Sequence, residues 1–377
     1  MMKAVIVNCF DTYEERADLV HEFFKEQGYN VTVIQSGFRH FKKTHREEPK
    51  EGFIFVNSKP YYKNLSVARL ISHYKYSSDA FKIVEEIKPD LLYTFVPPNS
   101  LAKFAADYKQ KHKEVKLIFD LIDLWPETMP IGKVKKFSPF TFWGAMRDKS
   151  INNADLVITE CDLYQTVLSD ALKGVKAETV YLAKSEINVV SNPELSDDEI
   201  HLAYLGSINN IINIPKIKEI IETIKVVKPV TLHIIGDGES KEELIDSAKA
   251  GGAKVEDHGK IYNSQEKQDI FDKCHFGLNI MKDSVCVGLT MKSIDYFQHG
   301  LPIINNIPAD TAEIVEKYRI GVNLTANNNI ILQSISVDNS TYRKQVNKVY
   351  RDMFSVTYFT KTLEKIIKEM NRIMEGN

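Results

Sequence analysis

Short apolar runs alternate with amphipathic helical segments along this chain, and the alternation runs through twice. No other feature limits the fold as tightly. Strands that are joined through helices lie parallel, and a parallel sheet needs helices on both faces. In the first pass AVIVNCF (4–10) reads as a buried strand. EERADLVHEFFKEQG (14–28) follows as a helix with Ala17, Leu19, Val20, Phe23 and Phe24 on one side and Gly28 as its stop. NVTVIQS (30–36) is the next strand, and ISHYKYSSDAFKIVEEIK (71–88) is a helix leading into the strand DLLYTFV (90–96). PPNSLAKFAADYKQKHK (97–113) is a helix before the strand KLIFDLIDL (116–124). ADLVITE, the helix from CDLYQTVLSDALKG and the short strand ETVYLA end the pass.

Residues 186–200, EINVVSNPELSDDEI, are polar, acidic and broken by Pro193, which predicts a linker. The alternation then restarts. Strands are expected at HLAYLG, TLHIIG, AKVEDHGKI, FGLNIM and LPIINN. Helices are expected at PKIKEIIETIKVV, SKEELIDSAKAGG, SQEKQDIFDKC and DTAEIVEKY, with a long amphipathic tail at about 341–375. A chain of 377 residues exceeds one ordinary core. The expectation is two α/β domains facing a cleft, 1–185 and 201–350, with ligands beyond the carboxyl ends of the strands.

The bulk numbers exclude several classes. A formal net charge of −2 argues against a dedicated nucleic-acid binder. Cys9, Cys161, Cys274 and Cys286 show no CxxC spacing and sit in or near apolar runs, which fits a reducing cytoplasm and a metal-free protein. No run of about 18 apolar residues is present to span a membrane, and AVIVNCF is too short for a signal peptide.

Three loops of the second half are candidates for a nucleotide. DSVCVGLTMKSIDYFQHGLPII (283–304) sits between two apolar runs. Gly288 lets the backbone approach a ligand, the N–H groups around Leu289, Thr290 and Met291 form an anion site, and Lys292 adds a full charge. Asp295, one turn on, suits a ribose diol. The plain alternative is an exposed Lys292–Asp295 pair contributing a few tenths of a kcal/mol. In YLGSINN (204–210), Gly206, Ser207, Asn209 and Asn210 suit a phosphate cradle. In IIGDGES (234–240), Gly236, Asp237 and Gly238 make a tight strand-to-helix turn, a pattern more often structural than binding and short of a dinucleotide fingerprint.

The first half offers other chemistry. IFDLIDLWPETMP (118–130) places Asp123 and Glu127 near the carboxyl end of a strand, where a carboxylate either works or caps a loop. KPYYKNLSVARLISHYKY (59–76) offers Tyr62, Asn64, Arg69 and His73, which suit sugar or phosphate and also suit a surface helix. FRHFKKTHR (38–46) and KVKKFSPFTFW (133–143) are basic and aromatic. The second suits an anionic membrane surface or, equally, a core loop with a basic flank.

Taken in order, these motifs resemble those of family 4 glycosyltransferases, which have the GT-B fold of two Rossmann-like doubly wound parallel-sheet domains. The resemblance covers nearly the whole chain and is strongest over 204–322. It implies that the YLG loop, the GDG turn and the segment 288–302 form the donor-nucleotide site. HGKIY (258–262) matches a loop lying against the base, so Lys260 and Ile261 join the donor set. LWPE matches a subgroup that builds bacterial capsules, exopolysaccharides and O-antigens. There are departures. Of two family glutamates eight positions apart, the first is Val287 here and the second is Asp295. The basic pair after the YLG-type glycine is replaced by Ser207 and neutral residues. NCFDTYEER (8–16) stands in place of an N-terminal glycine-rich loop, which makes Asp11, Tyr13 and Arg16 acceptor candidates.

The resemblance thus implies a retaining, metal-independent hexosyltransferase without a cofactor. Its donor is a nucleotide sugar, UDP-linked by preference, and its acceptor a glycan on a lipid diphosphate. It would act in the cytoplasm or at the inner face of the membrane, with the 351–377 helix crossing back to the first domain. Asp123 and Glu127 would act on the acceptor hydroxyl, with Tyr62, Asn64 and Arg69 beside it. Two further classes stay open at this point: a non-catalytic partner of another transferase, and a sugar-nucleotide epimerase.

Overall fold

The computed structural model describes residues 1–63, 66–129, 138–324, 329–335 and 339–375. The chain divides into two compact units, Met1–Leu182 with Thr360–Asn377, and Ala183–Phe359. Among the described residues no helix is long and apolar enough to cross a membrane. Cys9, Cys161 and Cys274 are buried and Cys286 is half-buried.

The first unit holds strands β1 (Lys3–Asn8), β2 (Asn30–Ser36), β3 (Phe53–Val56), β4 (Leu91–Val96), β5 (Lys116–Leu121), β6 (Leu156–Thr159) and β7 (Ala177–Thr179). They form one sheet in the order β3-β2-β1-β4-β5-β6-β7, and every pair is parallel. β4 is buried along its whole length, as a central strand covered on both faces must be. The second unit holds β8 (Ile200–Ser207), β9 (Val230–Asp237), β10 (Lys254–Gly259), β11 (Phe276–Asn279), β12 (Ile303–Asn305) and β13 (Gly321–Asn323). Their order is β10-β9-β8-β11-β12-β13, again with every pair parallel.

Each sheet reverses its strand order once, between β1 and β4 and between β8 and β11. Such a reversal leaves a crevice beyond the strands' carboxyl ends, where ligands of open α/β sheets bind. The helices that cover the sheets follow from local sequence. Ile214–Lys225 turns Ile214, Ile217, Ile220, Ile221 and Ile224 to the core, and its first turn is capped by the Asn213 side chain, which accepts from the Lys216 N–H at 3.1 Å.

The segment 186–200 lies along the second unit. Ser191 Oγ donates to Asp272 Oδ1 at 2.9 Å, and the Asn192 N–H donates to Asp272 Oδ2 at 2.5 Å. The final helix from Thr360 on belongs to the first unit. There Lys116 Nζ donates to Asn371 Oδ1 at 2.8 Å, and Lys176 pairs with Glu369 at 2.8 Å.

Candidate functional site

In the second unit two loops flank the reversal point: the one after β8 and the one that leads from β11 into the helix Met291–Gln298. Thr290 caps that helix. Its side chain accepts from the Ser293 N–H at 3.2 Å and its hydroxyl lies 2.9 Å from Asn279 Oδ1, so its role is to start the helix. Thr311 ties the preceding turn down, with its N–H and hydroxyl both donating to the Gly288 carbonyl at 2.9 and 2.6 Å. Leu289 is buried. The turn is therefore rigid before any ligand arrives.

Lys292 and Asp295 do not pair with each other. Lys292 Nζ donates to Tyr204 Oη at 3.1 Å and stands 4.3 Å from the centre of the Tyr204 ring. Among the described residues no carboxylate lies within ion-pair distance of it. Burial alone lowers its pKa to about 7. Its place in the helix's first turn is unfavourable for a cation, because the macrodipole is positive there. Asp295 Oδ1 accepts from Lys184 Nζ at 2.6 Å. Lys267 also lies close, held below its ordinary pKa by burial against the pull of Asp295. Two lysines, Lys184 and Lys267, thus act on Asp295 at this end of the sheet.

The glycines sort into two kinds. Gly236 and Gly238 meet backbone: an added Cβ would lie 2.0 Å from the Gly206 carbonyl oxygen and 2.2 Å from that of Ile208, respectively. The GDG turn is required to seat the loop above it. Gly206, at φ +107, meets nothing within 4 Å, so its open side is available to a ligand. Asp237 accepts from the Gly238 N–H at 2.9 Å and pairs with Lys260 at 3.1 Å on the exposed surface. Ser207 and Asn210 are exposed, and Ile261 is half-buried. Asn209 Oδ1 accepts from the Ile211 N–H at 3.2 Å, which closes its own turn.

The first unit has a different character. Arg16 is buried and bonds Asp120 through Nε at 2.7 Å and Nη2 at 3.0 Å, while Tyr93 donates to Asp120 at 2.6 Å. Arg16 is therefore an architectural cation. Glu127 is the bidentate partner of buried Arg147, with both contacts at 2.9 Å. Arg147 also donates to the Trp125 carbonyl at 3.1 Å, so Glu127 fixes the turn after β5. Asp123 accepts from Trp125 Nε1 at 2.7 Å and from Thr128 Oγ1 at 2.5 Å. Burial raises its pKa, opposed by these two donors, the Leu124 N–H and the charge on Arg69. Asp11 accepts from the N–H groups of Phe41 and Lys42 at 2.7 and 3.1 Å and so clamps the 38–46 loop. The Tyr13 pKa is raised by burial and by the charges on Asp123 and Glu160.

Arg69 is buried with its guanidinium 4.0 Å from the Trp125 ring centre, and Phe10 and His73 pack around the same indole. Tyr61 Oη lies 2.8 Å from His73 Nε2 and also bonds His40. Tyr61 is a member that sequence reading passed over, although it sits beside Tyr62 in KPYYKN. Tyr62 is 73 % exposed and stands apart from the cluster. Asn64 lies outside the described residues, as do residues 133–137 of the basic-aromatic patch. The remainder of that patch enters the helix Ser138–Ile151. A cavity of about 250 Å³ opens among Leu70, His73, Tyr74, Phe140, Phe142 and Trp143.

No protein-family model and no curated protein matches the chain. Solved structures do. The chain is similar to sucrose-phosphate synthase from Thermosynechococcus elongatus, with a TM-score of 0.70 at 12% identity over 99% of this chain and 100% of that one. It is similar to HepE from Anabaena in complex with UDP, with a TM-score of 0.66 at 14% identity over 98% of this chain and 100% of that one. It is also similar to the lipopolysaccharide outer core galactosyltransferase WaaB, with a TM-score of 0.67 at 14% identity over 98% of this chain and 100% of that one. Two parallel sheets with alternating helices, matched along almost the whole chain, make the fold GT-B.

Proposed function

We propose that this chain is a glycosyltransferase that moves a hexose from a nucleotide sugar, UDP-linked by preference, to a glycan acceptor. One observation carries the reading. Lys292 is a desolvated amine with no carboxylate in ion-pair reach among the described residues, in the first turn of a helix and held by Tyr204. A diphosphate would supply the missing negative charge to both the lysine and the helix end. The open side of Gly206 leaves room for it. Asp295, oriented by Lys184, takes the ribose hydroxyls. As the bond from C1 to the diphosphate breaks, Lys292 and the helix N–H groups stabilise the leaving oxygen as fixed donors.

The acceptor hydroxyl bonds to C1 with retention. Asp123 orients it and takes its proton, a role that its raised pKa favours. Glu127 acts through Arg147 as a positioning residue. The Arg69–Trp125–Tyr61–His73 cluster forms the sugar-facing wall. A lipid end on the acceptor is supported by the apolar cavity beside Phe142 and by exposed Val67, Leu70, Ile71 and Tyr74 on the helix Val67–Ile87. The likeness to WaaB, a lipopolysaccharide outer core galactosyltransferase, supports a setting in surface polysaccharide or glycoconjugate synthesis.

The test is release of UDP from a panel of UDP-sugars mixed with lipid-linked and free glycans. Acceptor-dependent release is expected, with Asp123→Asn lowering turnover by about 100-fold while donor affinity holds. A second reading, a catalytically silent partner of another transferase, draws on Val287 in place of a carboxylate and on Glu127 being fully paired. Donor binding without turnover on any acceptor, restored by neither pH nor lipid, selects that reading.

A further inference from the structure

Away from the Lys292 site, the second unit carries a row of stacked imidazoles across β8, β9 and β10. His201 and His233 stack at 5.2 Å between ring centres, and His233 and His258 at 5.3 Å. Their nitrogens face one another: His201 Nδ1 lies 2.9 Å from His233 Nε2, and His233 Nδ1 lies 3.0 Å from His258 Nε2. Glu256 Oε2 is 3.4 Å from that same His233 Nδ1. We propose that His233 Nδ1, His258 Nε2 and Glu256 Oε2 form a binding site for one zinc-class divalent cation.

Several independent observations agree on it. The three ligand atoms lie within 4.8 Å of one another. In a tetrahedral zinc site with bonds of about 2.0–2.1 Å, ligand atoms stand about 3.3 Å apart, close to the 3.0 and 3.4 Å found here. Two imidazoles and one carboxylate leave a fourth position for water, a donor set that suits zinc and its neighbours better than magnesium or calcium.

The backbone also serves the site. Asp257 and Gly259 pair with consecutive residues of β9, Ile234 and Ile235, so His258 is the extra residue of a bulge. A bulge is a device for re-aiming a side chain, and this one presents His258 to His233. Glu256 is oriented by its other oxygen, Oε1, which accepts from Lys254 at 2.6 Å.

The outer partners fix the tautomer. With Nδ1 on the metal, His233 carries its proton on Nε2 and donates to His201 Nδ1. His201 then carries its proton on Nε2, where Glu199 Oε2 stands 3.5 Å away. A carboxylate–imidazole–imidazole–metal line of this kind raises ligand basicity and sets ring orientation. The bound ion would join edge strand β10 to β9 and hold the start of the 259–262 loop.

The experiment is titration of the metal-stripped full chain with Zn2+ and with Co2+, in the absence of any sugar nucleotide. One equivalent is expected to bind, with a rise in the melting temperature and the visible absorption of tetrahedral Co2+. His258→Ala, at a half-buried position, should weaken binding by more than 100-fold with the far-ultraviolet dichroism unchanged. His201→Ala keeps all three ligands and should weaken it by about 10–100-fold. Absence of stoichiometric binding overturns the proposal. So does binding that His258→Ala leaves intact, or a Co2+ spectrum with thiolate charge transfer, which would place the ion on a cysteine.

Discussion

Arg16 and Arg147 in the first unit and Lys292 in the second hold their charge in opposite ways. In the first, each buried arginine of an ion pair meets its carboxylate through two bonds: Arg16 with Asp120, and Arg147 with Glu127. In the second, Lys292 is desolvated beside a helix N-terminus and bonds only a neutral phenol among the described residues. A closed pair is complete without a ligand, and its removal should cost stability. An open cation is a cost to the empty protein, and its removal should cost binding. That contrast separates architecture from site where residue type alone does not, since all these residues are charged and near strand ends.

The largest effect should come from opening a closed pair. Arg16→Ala leaves Asp120 buried without its partner and should lower unfolding free energy by about 3–5 kcal/mol in urea denaturation. A loss below 1 kcal/mol would mean that Arg16 is not architectural and would return it to the acceptor set. Glu127→Gln should cost less, about 1–3 kcal/mol, because Arg147 keeps Asp148 at 2.8 Å.

Lys292→Met should move stability the other way, raising it by about 0.5–2 kcal/mol at pH 7. The sign follows from linkage. Lys292 titrates at about 7 in the folded chain against an ordinary 10.5. The unfolded chain therefore holds the extra proton between these values. The destabilisation is complete below about pH 7 and is relieved as pH rises towards 10.5. The difference between the two proteins should shrink over that window, and a difference independent of pH would break the contrast. The smallest effect should come from Asp79→Ala, whose exposed pairs with Lys75 and Lys82 at 2.7 Å should contribute under about 1 kcal/mol.

Most of the fold was legible from the order of apolar runs. NVTVIQS and DTAEIVEKY became a strand and a helix with the boundaries read from sequence. β3 and β13 were not foreseen. Both are edge strands of four residues or fewer, and Ile54 of β3 is exposed, so neither carries a strong apolar signature. The helix Ser138–Ile151 was hidden because SPFTFW offers no apolar stripe at helical spacing. The tail, read as one helix, winds into a π-helix at Tyr350–Phe354, breaks at the extended Ser355 and resumes at Val356.

Within the candidate site, the loops were legible because glycine punctuates them. The partners were not. Tyr204 and Lys292 are 88 residues apart, Lys184 and Asp295 are 111, and Arg16 and Asp120 are 104. Only the parallel topology brings such pairs together, so composition could nominate Arg16 and Glu127 for chemistry without revealing that each was already matched.

The most direct test is calorimetric titration of the protein with UDP from pH 6 to 9, alongside Lys292→Met. If a diphosphate completes the open lysine, affinity should be flat below about pH 7, where the free amine is already charged. Above it, affinity should fall by about tenfold per pH unit with proton uptake on binding, and Lys292→Met should lose at least about 100-fold. Equal affinity in the variant, or a flat pH profile throughout, would contradict the account, because the charge on Lys292 would then have no part in holding the nucleotide.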